Sequence, residues 1–151
     1  MSVEEKLLED LKQAMKARDE LVLGVLRMLK SQLMNEKTKK GGQKELTDET
    51  VLQVFTSYAK KLKDAREQFE NGGRTEMAEQ HAREIEVVER YLPEQADEDE
   101  IREVIEQVVE SQAADSPEQM GRVMGVVMLE LKGRVDGKVV SRMVRERLAQ
   151  S

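Results

Sequence analysis

Apolar residues recur every three to four positions along almost the whole chain, and no segment alternates apolar and polar residues. This spacing places apolar side chains on one face of a helix, whereas alternation is typical of strands. The clearest stripe consists of Val22, Val25, Leu26, Leu29 and Leu33. Seven such stripes follow one another, so the pattern predicts an all-α protein of seven helices.

Capping residues mark where several of these helices begin. Ser2 is followed three positions later by a glutamate, and Ser116 is followed three positions later by a glutamine, which are capping-box patterns. A proline directly after Ser116 also favours a helix start there. Asp97 is predicted to cap the fifth helix, and either Thr47 or Asp48 the third. The first helix is predicted to end near residue 17.

Glycine and proline mark the predicted ends. Gly41-Gly42 is predicted to be a loop after the second helix, and Asn71-Gly72-Gly73 is predicted to end the long third helix. Pro93 ends the fourth helix, because the residue before a proline disfavours helical geometry. Gly133 is predicted to end the sixth helix, and Asp136-Gly137 to connect it tightly to the seventh.

These breaks divide the chain into two parts. We predict an N-terminal multihelical subdomain over residues 1–92, a linker over 93–96 and a C-terminal three-helix bundle over 97–151. The short connections between the last three helices favour the bundle.

Composition excludes several classes of function. The chain has no cysteine, one histidine and no apolar run long enough to span a membrane, which excludes disulfides, thiolate metal sites and multi-histidine metal sites. The N-terminus is acidic and does not resemble a secretory signal. We expect a soluble cytoplasmic protein with no membrane partner.

Charge is distributed unevenly along a chain of net charge −6. Residues 93–115 contain nine acidic residues and one basic residue, for a balance of −8, whereas residues 116–151 have seven basic and four acidic residues, for +3. This asymmetry predicts that one face is directed toward phosphate and the other away from it. Basic residues concentrate in two stretches: Lys30, Lys37, Lys39, Lys40 and Lys44, and Lys132, Arg134, Lys138, Arg142, Arg145 and Arg147.

No constellation of catalytic residues is apparent. His81 is predicted to be a boundary or exposed residue beside the apolar stripe of the fourth helix, and not a catalytic base. The acidic run 97–100 lacks the spacing of a calcium loop. The loop 133–138 has too few residues between its glycines for a phosphate-binding loop. We predict no catalytic residue, no metal site and no cofactor, and we expect the chain alone to hydrolyse neither glutamine nor ATP.

The sixth helix carries glycine and methionine at regular spacing. Gly121 and Gly125 are four residues apart, which predicts close approach of another helix. Met120, Met124 and Met128 are predicted to belong to the core, and a flexible partner-binding groove is the alternative.

Several segments of the sequence resemble the YqeY family, and they occur in the family's order along nearly the whole chain. The segments are Asp10–Lys16, Val25–Ser31, Phe69–Arg74, Tyr91–Gln95, Met120–Gly125 and Lys132–Val140. That family is similar to the tail of the B subunit of the glutamine-dependent aspartyl/glutamyl-tRNA amidotransferase. The resemblance implies a helical N-terminal part, a three-helix C-terminal part and a tail that holds tRNA. The chain has Asp136-Gly137 where the amidotransferase tail typically has Asn-Pro.

We therefore predict a stand-alone accessory module, without its own catalytic centre, that binds tRNA or a tRNA–protein complex. The alternatives are a protein-interaction adaptor that uses the Met/Val-rich face or the acidic fifth helix, and participation in a glutamine-dependent carbon–nitrogen ligase. The candidate RNA-binding residues are Lys132, Gly133, Arg134, Gly137, Lys138, Arg142 and Arg145.

Overall fold

Seven α-helices form the protein in its computed structural model, which describes residues 1–39, 41–42 and 44–150. Those ranges contain no strand, so the predicted all-α fold is confirmed; Lys40 of the first basic stretch lies outside them. The helices are α1 (Val3–Ala17), α2 (Glu20–Thr38), α3 (Asp48–Asn71), α4 (Thr75–Glu89), α5 (Glu98–Ser111), α6 (Met120–Glu130) and α7 (Gly137–Ala149).

The predicted caps form at the helix starts. The Glu5 N–H donates to Ser2 Oγ at 3.1 Å, and the Ser2 N–H donates to the Glu5 carboxylate at 3.4 Å, which completes the capping box. Thr47, and not Asp48, caps α3, because its hydroxyl accepts the N–H of Thr50 at 3.2 Å. The Asp48 carboxylate instead accepts the N–H of Val3, at the start of α1, at 3.0 Å.

Two boundaries of α6 differ from those predicted. A single 3₁₀ turn, Pro117–Gln119, precedes the helix, with the Gln119 N–H donating to the Ser116 carbonyl at 3.1 Å. The Gln119 side-chain oxygen accepts the N–H groups of both Asp115 and Ser116 and so closes the capping box. At the other end α6 stops at Glu130, and Gly133 follows in the turn with a φ of +77°. A left-handed glycine of this kind reverses the chain after the helix has ended.

The first of two compact units, Met1–Pro93, contains α1 to α4. Its core includes Phe55, which is fully buried on α3, together with the predicted apolar stripe of α2. The rings of Phe55 and Tyr91 meet edge to face with centroids 5.5 Å apart. The core of this unit therefore includes an aromatic contact between α3 and the residues just after α4.

The second unit, Glu94–Ser151, contains α5 to α7. Its core consists mainly of branched aliphatic side chains from all three helices, among them Ile105, Val123, Val127, Val140 and Val144. Met120, Met124 and Met128, which the sequence predicts to belong to the core, pack against it as partly buried side chains.

The glycines of α6 face open space among the described residues. A Cβ added to Gly121 or Gly125 would meet nothing within 4 Å, so the predicted close approach of another helix is wrong for the part of the chain that the structure describes. Leu129, four residues after Gly125, is 74% exposed. The side of α6 that carries these three residues is not packed against any other part of the chain that the structure describes.

Substituting Gly125→Ala is expected to stabilise the protein by about 0.5–1 kcal/mol, because alanine restricts the unfolded chain and its methyl group has room. Thermal or denaturant unfolding measures the change. Gly133→Ala is the matched control and should destabilise the protein by about 1–2 kcal/mol, because its φ of +77° disfavours a Cβ. A loss of stability in Gly125→Ala would contradict the open space around that residue.

Candidate nucleic-acid interface

The turn between α6 and α7 is held by the residues that precede α5. The Ala96 N–H donates to the Arg134 carbonyl at 2.8 Å, and the Gln95 side chain donates to the Gly133 carbonyl at 3.2 Å. Residues 94–96, which the sequence predicts to be part of a linker, therefore bind the turn that contains two of the candidate RNA-binding residues.

Arg134 is fixed by two contacts within this unit. Its Nε donates to the Glu94 carbonyl at 2.8 Å, and its Nη2 lies 2.7 Å from Glu100 Oε1. The side chain is 30% exposed. An RNA phosphate would have to displace the Glu100 carboxylate to make a two-pronged contact with this guanidinium.

The other arginine pairs connect α5 with α7. Arg142 Nη2 lies 2.9 Å from Glu98 Oε1, and Arg147 forms an ion pair and a hydrogen bond with Glu106. The acidic and basic segments of the sequence therefore do not form separate faces at these positions. Instead, carboxylates of α5 lie beside arginines of the basic segment.

Three candidate residues form an exposed stripe on α7. Lys138, Arg142 and Arg145 are successively four and three residues apart, so their side chains are neighbours on the helix surface. All three are exposed, and the core side chains of α7 lie between them in sequence. We call these residues the α7 basic stripe.

The remaining candidates lie at the ends of the α6–α7 turn. Lys132 is exposed, and Gly133 is half-buried with a left-handed backbone. Gly137 begins α7, and the Asp136 carboxylate caps this helix by accepting the Lys138 N–H at 3.0 Å. A Cβ at Gly137 would lie 3.8 Å from Met128 Cε, which is an ordinary contact, so only Gly133 needs its glycine for backbone conformation.

The described residues contain no cluster of three or more histidine, cysteine or carboxylate side chains placed to hold a metal ion. His81 lies at the core boundary as predicted, with Nδ1 3.1 Å from the Met77 carbonyl and its ring edge to face with Phe69. None of the helices in the described ranges has the length and apolar character needed to cross a membrane.

The pairing of α5 with the basic segment is not predictable from the sequence. The partners are 41 residues apart in the Glu106–Arg147 pair and 44 in the Glu98–Arg142 pair. The sequence indicates the acidic face of α5, but spacing within one helix carries no information about which distant cation it meets.

Known proteins share parts of this sequence. A family model described as "Yqey-like protein" matches residues 4–148. The "Altered inheritance of mitochondria protein 41, mitochondrial" of Pyrenophora tritici-repentis is 28% identical over 144 residues, which cover 93% of this chain and 78% of that relative. One subunit of the glutamyl-tRNA(Gln) amidotransferase of Methanospirillum hungatei is 39% identical over 69 residues, covering 43% of this chain and 11% of that longer protein.

Proposed function

Because the chain belongs to the YqeY family, we propose that it is an accessory protein, without a catalytic centre of its own, that binds tRNA in an amidotransferase-related process. The likeness to a protein named for glutamyl-tRNA(Gln) supports this substrate class, although the match spans 11% of that protein. One relative is named as mitochondrial, so the cytoplasmic location stays a prediction.

The α7 basic stripe is the observation that carries the proposal. Cations on one exposed helix face can contact successive phosphates of a folded RNA, and such contacts need no base recognition. The chain has few aromatic residues to stack on bases, which favours recognition of shape and backbone. Lys132, at the adjoining turn, extends the proposed contact region.

Binding of the full chain to purified tRNA over a range from about 50 mM to about 200 mM salt tests the proposal, because phosphate contacts make affinity fall steeply with salt. Fluorescence anisotropy of labelled tRNA gives the dissociation constant at each step. An absence of binding at the lowest salt concentration would refute the proposal.

Removing the carboxylates that pair with the arginines should strengthen this binding. In Glu98→Gln/Glu100→Gln/Glu106→Gln, the guanidinium groups of Arg134, Arg142 and Arg147 lose their ion pairs with these three carboxylates of α5, while Arg142 keeps Glu146 at 3.8 Å. We expect tRNA affinity to rise about three- to tenfold and the salt dependence to become steeper. Each exposed ion pair contributes only about 0–1 kcal/mol, so the fold should be retained.

The matched control is Glu103→Gln/Glu110→Gln/Glu118→Gln, which removes the same charge from exposed positions outside these three pairs. Its affinity for tRNA should rise less, and its salt dependence should stay near that of the wild type. Equal gains in both variants would indicate that net charge, and not release of the arginines, controls binding.

The exposed side of α6 favours a second candidate function, that of a protein-interaction adaptor. Gly121, Gly125 and Leu129 leave a weakly polar surface that no described element covers. The two glycines would let a partner's side chains approach the backbone of α6 closely beside the exposed Leu129. This function becomes the favoured one if the wild-type protein does not bind tRNA.

A further inference from the structure

A cleft lies within the first unit, between α1, the start of α2 and the end of α4. Its volume is about 370 Å³, within the range of about 300–1,000 Å³ that small-molecule sites occupy. Part of its wall is formed by the nearly buried side chains of Ala14, Leu26 and Val87. Its polar lining includes Lys6, Asp10, Asp19, Arg90 and Tyr91.

The two carboxylates of this cleft have donors within the protein. The Tyr91 hydroxyl donates to Asp10 Oδ2 at 2.5 Å, and the Val22 N–H donates to Asp19 Oδ1 at 3.2 Å. The Tyr91 hydroxyl is an ordinary donor at neutral pH, and burial, followed by the hydrogen bond to Asp10, raises its pKa further. Both acidic groups are thus stabilised without a ligand.

The two cations of the cleft, unlike its carboxylates, have no partner among the residues that the structure describes. Lys6 and Arg90 are exposed, and neither side chain forms a hydrogen bond or ion pair with a residue that the structure describes. Arg90 lies near enough to Tyr91 for its charge to oppose the rise in the tyrosine pKa. The cleft therefore combines a partly apolar wall with two positive charges that are available to a negative ligand.

We propose that this cleft binds a small carboxylate with a short apolar body. The carboxylate lies between Lys6 and Arg90, and the apolar body packs against Ala14, Leu26 and Val87. A singly charged carboxylate is favoured over a doubly charged phosphate monoester, because Asp10 and Asp19 balance the charges of Lys6 and Arg90 and the cleft has no net positive charge to attract the second negative charge. None of the residues that line this cleft is a candidate RNA-binding residue, and the proposal does not depend on tRNA binding.

Titration of the ¹⁵N-labelled full chain with hexanoate, followed by amide chemical shifts, tests the proposal. The largest shifts are expected at residues that line the cleft. Hexanamide is the matched neutral probe, and it should bind about tenfold more weakly because it lacks the charge that the two cations contact. No shifts at cleft residues, or equal affinity for both probes, would overturn the proposal.

The variant Lys6→Met/Arg90→Met keeps the aliphatic stems and removes both charges. We expect its dissociation constant for hexanoate to rise about tenfold or more, while that for hexanamide stays unchanged. Lys12→Met/Arg83→Met, with the same charge change at exposed positions outside the cleft lining, should bind hexanoate like the wild type. Equal losses in the two variants would show a general charge effect and exclude this site.

Discussion

Replacing Lys132, Lys138 and Arg145 by glutamine is expected to weaken tRNA binding about 10- to 100-fold and to flatten the dependence of log affinity on log salt by about one for each phosphate neutralisation that is removed. These residues are exposed, and substituting them leaves the ion pairs of Arg134 with Glu100 and of Arg142 with Glu98 in place. Anisotropy measurements across a salt series give both quantities. Glutamine retains polarity and much of the length, so the circular dichroism spectrum of the helical fold should not change.

A variant of equal charge tests whether the position of these cations matters. Lys60→Gln/Lys61→Gln/Arg83→Gln removes three exposed cations from α3 and α4 of the first unit. Its tRNA affinity should fall much less, and its salt dependence should remain near that of the wild type. If the two variants lose equal affinity, the proposed interface at the α6–α7 turn and α7 is wrong.

Phe55→Ala is expected to lower the free energy of unfolding by about 3–5 kcal/mol, because it removes a fully buried aromatic ring and leaves a cavity. The substitution also removes the edge-to-face contact with Tyr91. Phe69→Ala on the same helix is the control, since Phe69 is only half-buried and its removal should cost less. Urea unfolding of both variants compares them, and a smaller loss of stability in Phe55→Ala would contradict its central position in the core.

Local signals in the sequence are sufficient to predict the helices. The capping box at Ser2 and the apolar stripe of α2 each depend on residues that are close in sequence, and the structure contains both. The boundaries of α6 are predicted less accurately, because the first turn after Ser116 is a 3₁₀ turn and the helix stops before Gly133. Hydrophobic spacing is nearly the same for a 3₁₀ turn and for the first turn of an α-helix, so it does not distinguish them.

Contacts between residues that are distant in sequence cannot be predicted from such local signals. The Tyr91 hydroxyl and Asp10 are 81 residues apart, yet they meet at the cleft of the first unit. Both residues lie in segments that resemble the family, but nothing in the spacing pairs them. The spacing of Gly121 and Gly125 predicts a neighbouring helix that is absent from the described chain, because small residues permit an approach without supplying the partner.

The pairing of α5 with the arginines has a consequence for how salt acts on the protein. Glu98, Glu100 and Glu106 serve as covalently attached counterions, so Arg134, Arg142 and Arg147 have less need to condense anions from solution. When a phosphate replaces one of these carboxylates, the freed carboxylate attracts a cation, and the net release of ions is small. The salt dependence of RNA binding should therefore be shallower than the number of basic residues in residues 116–151 would indicate.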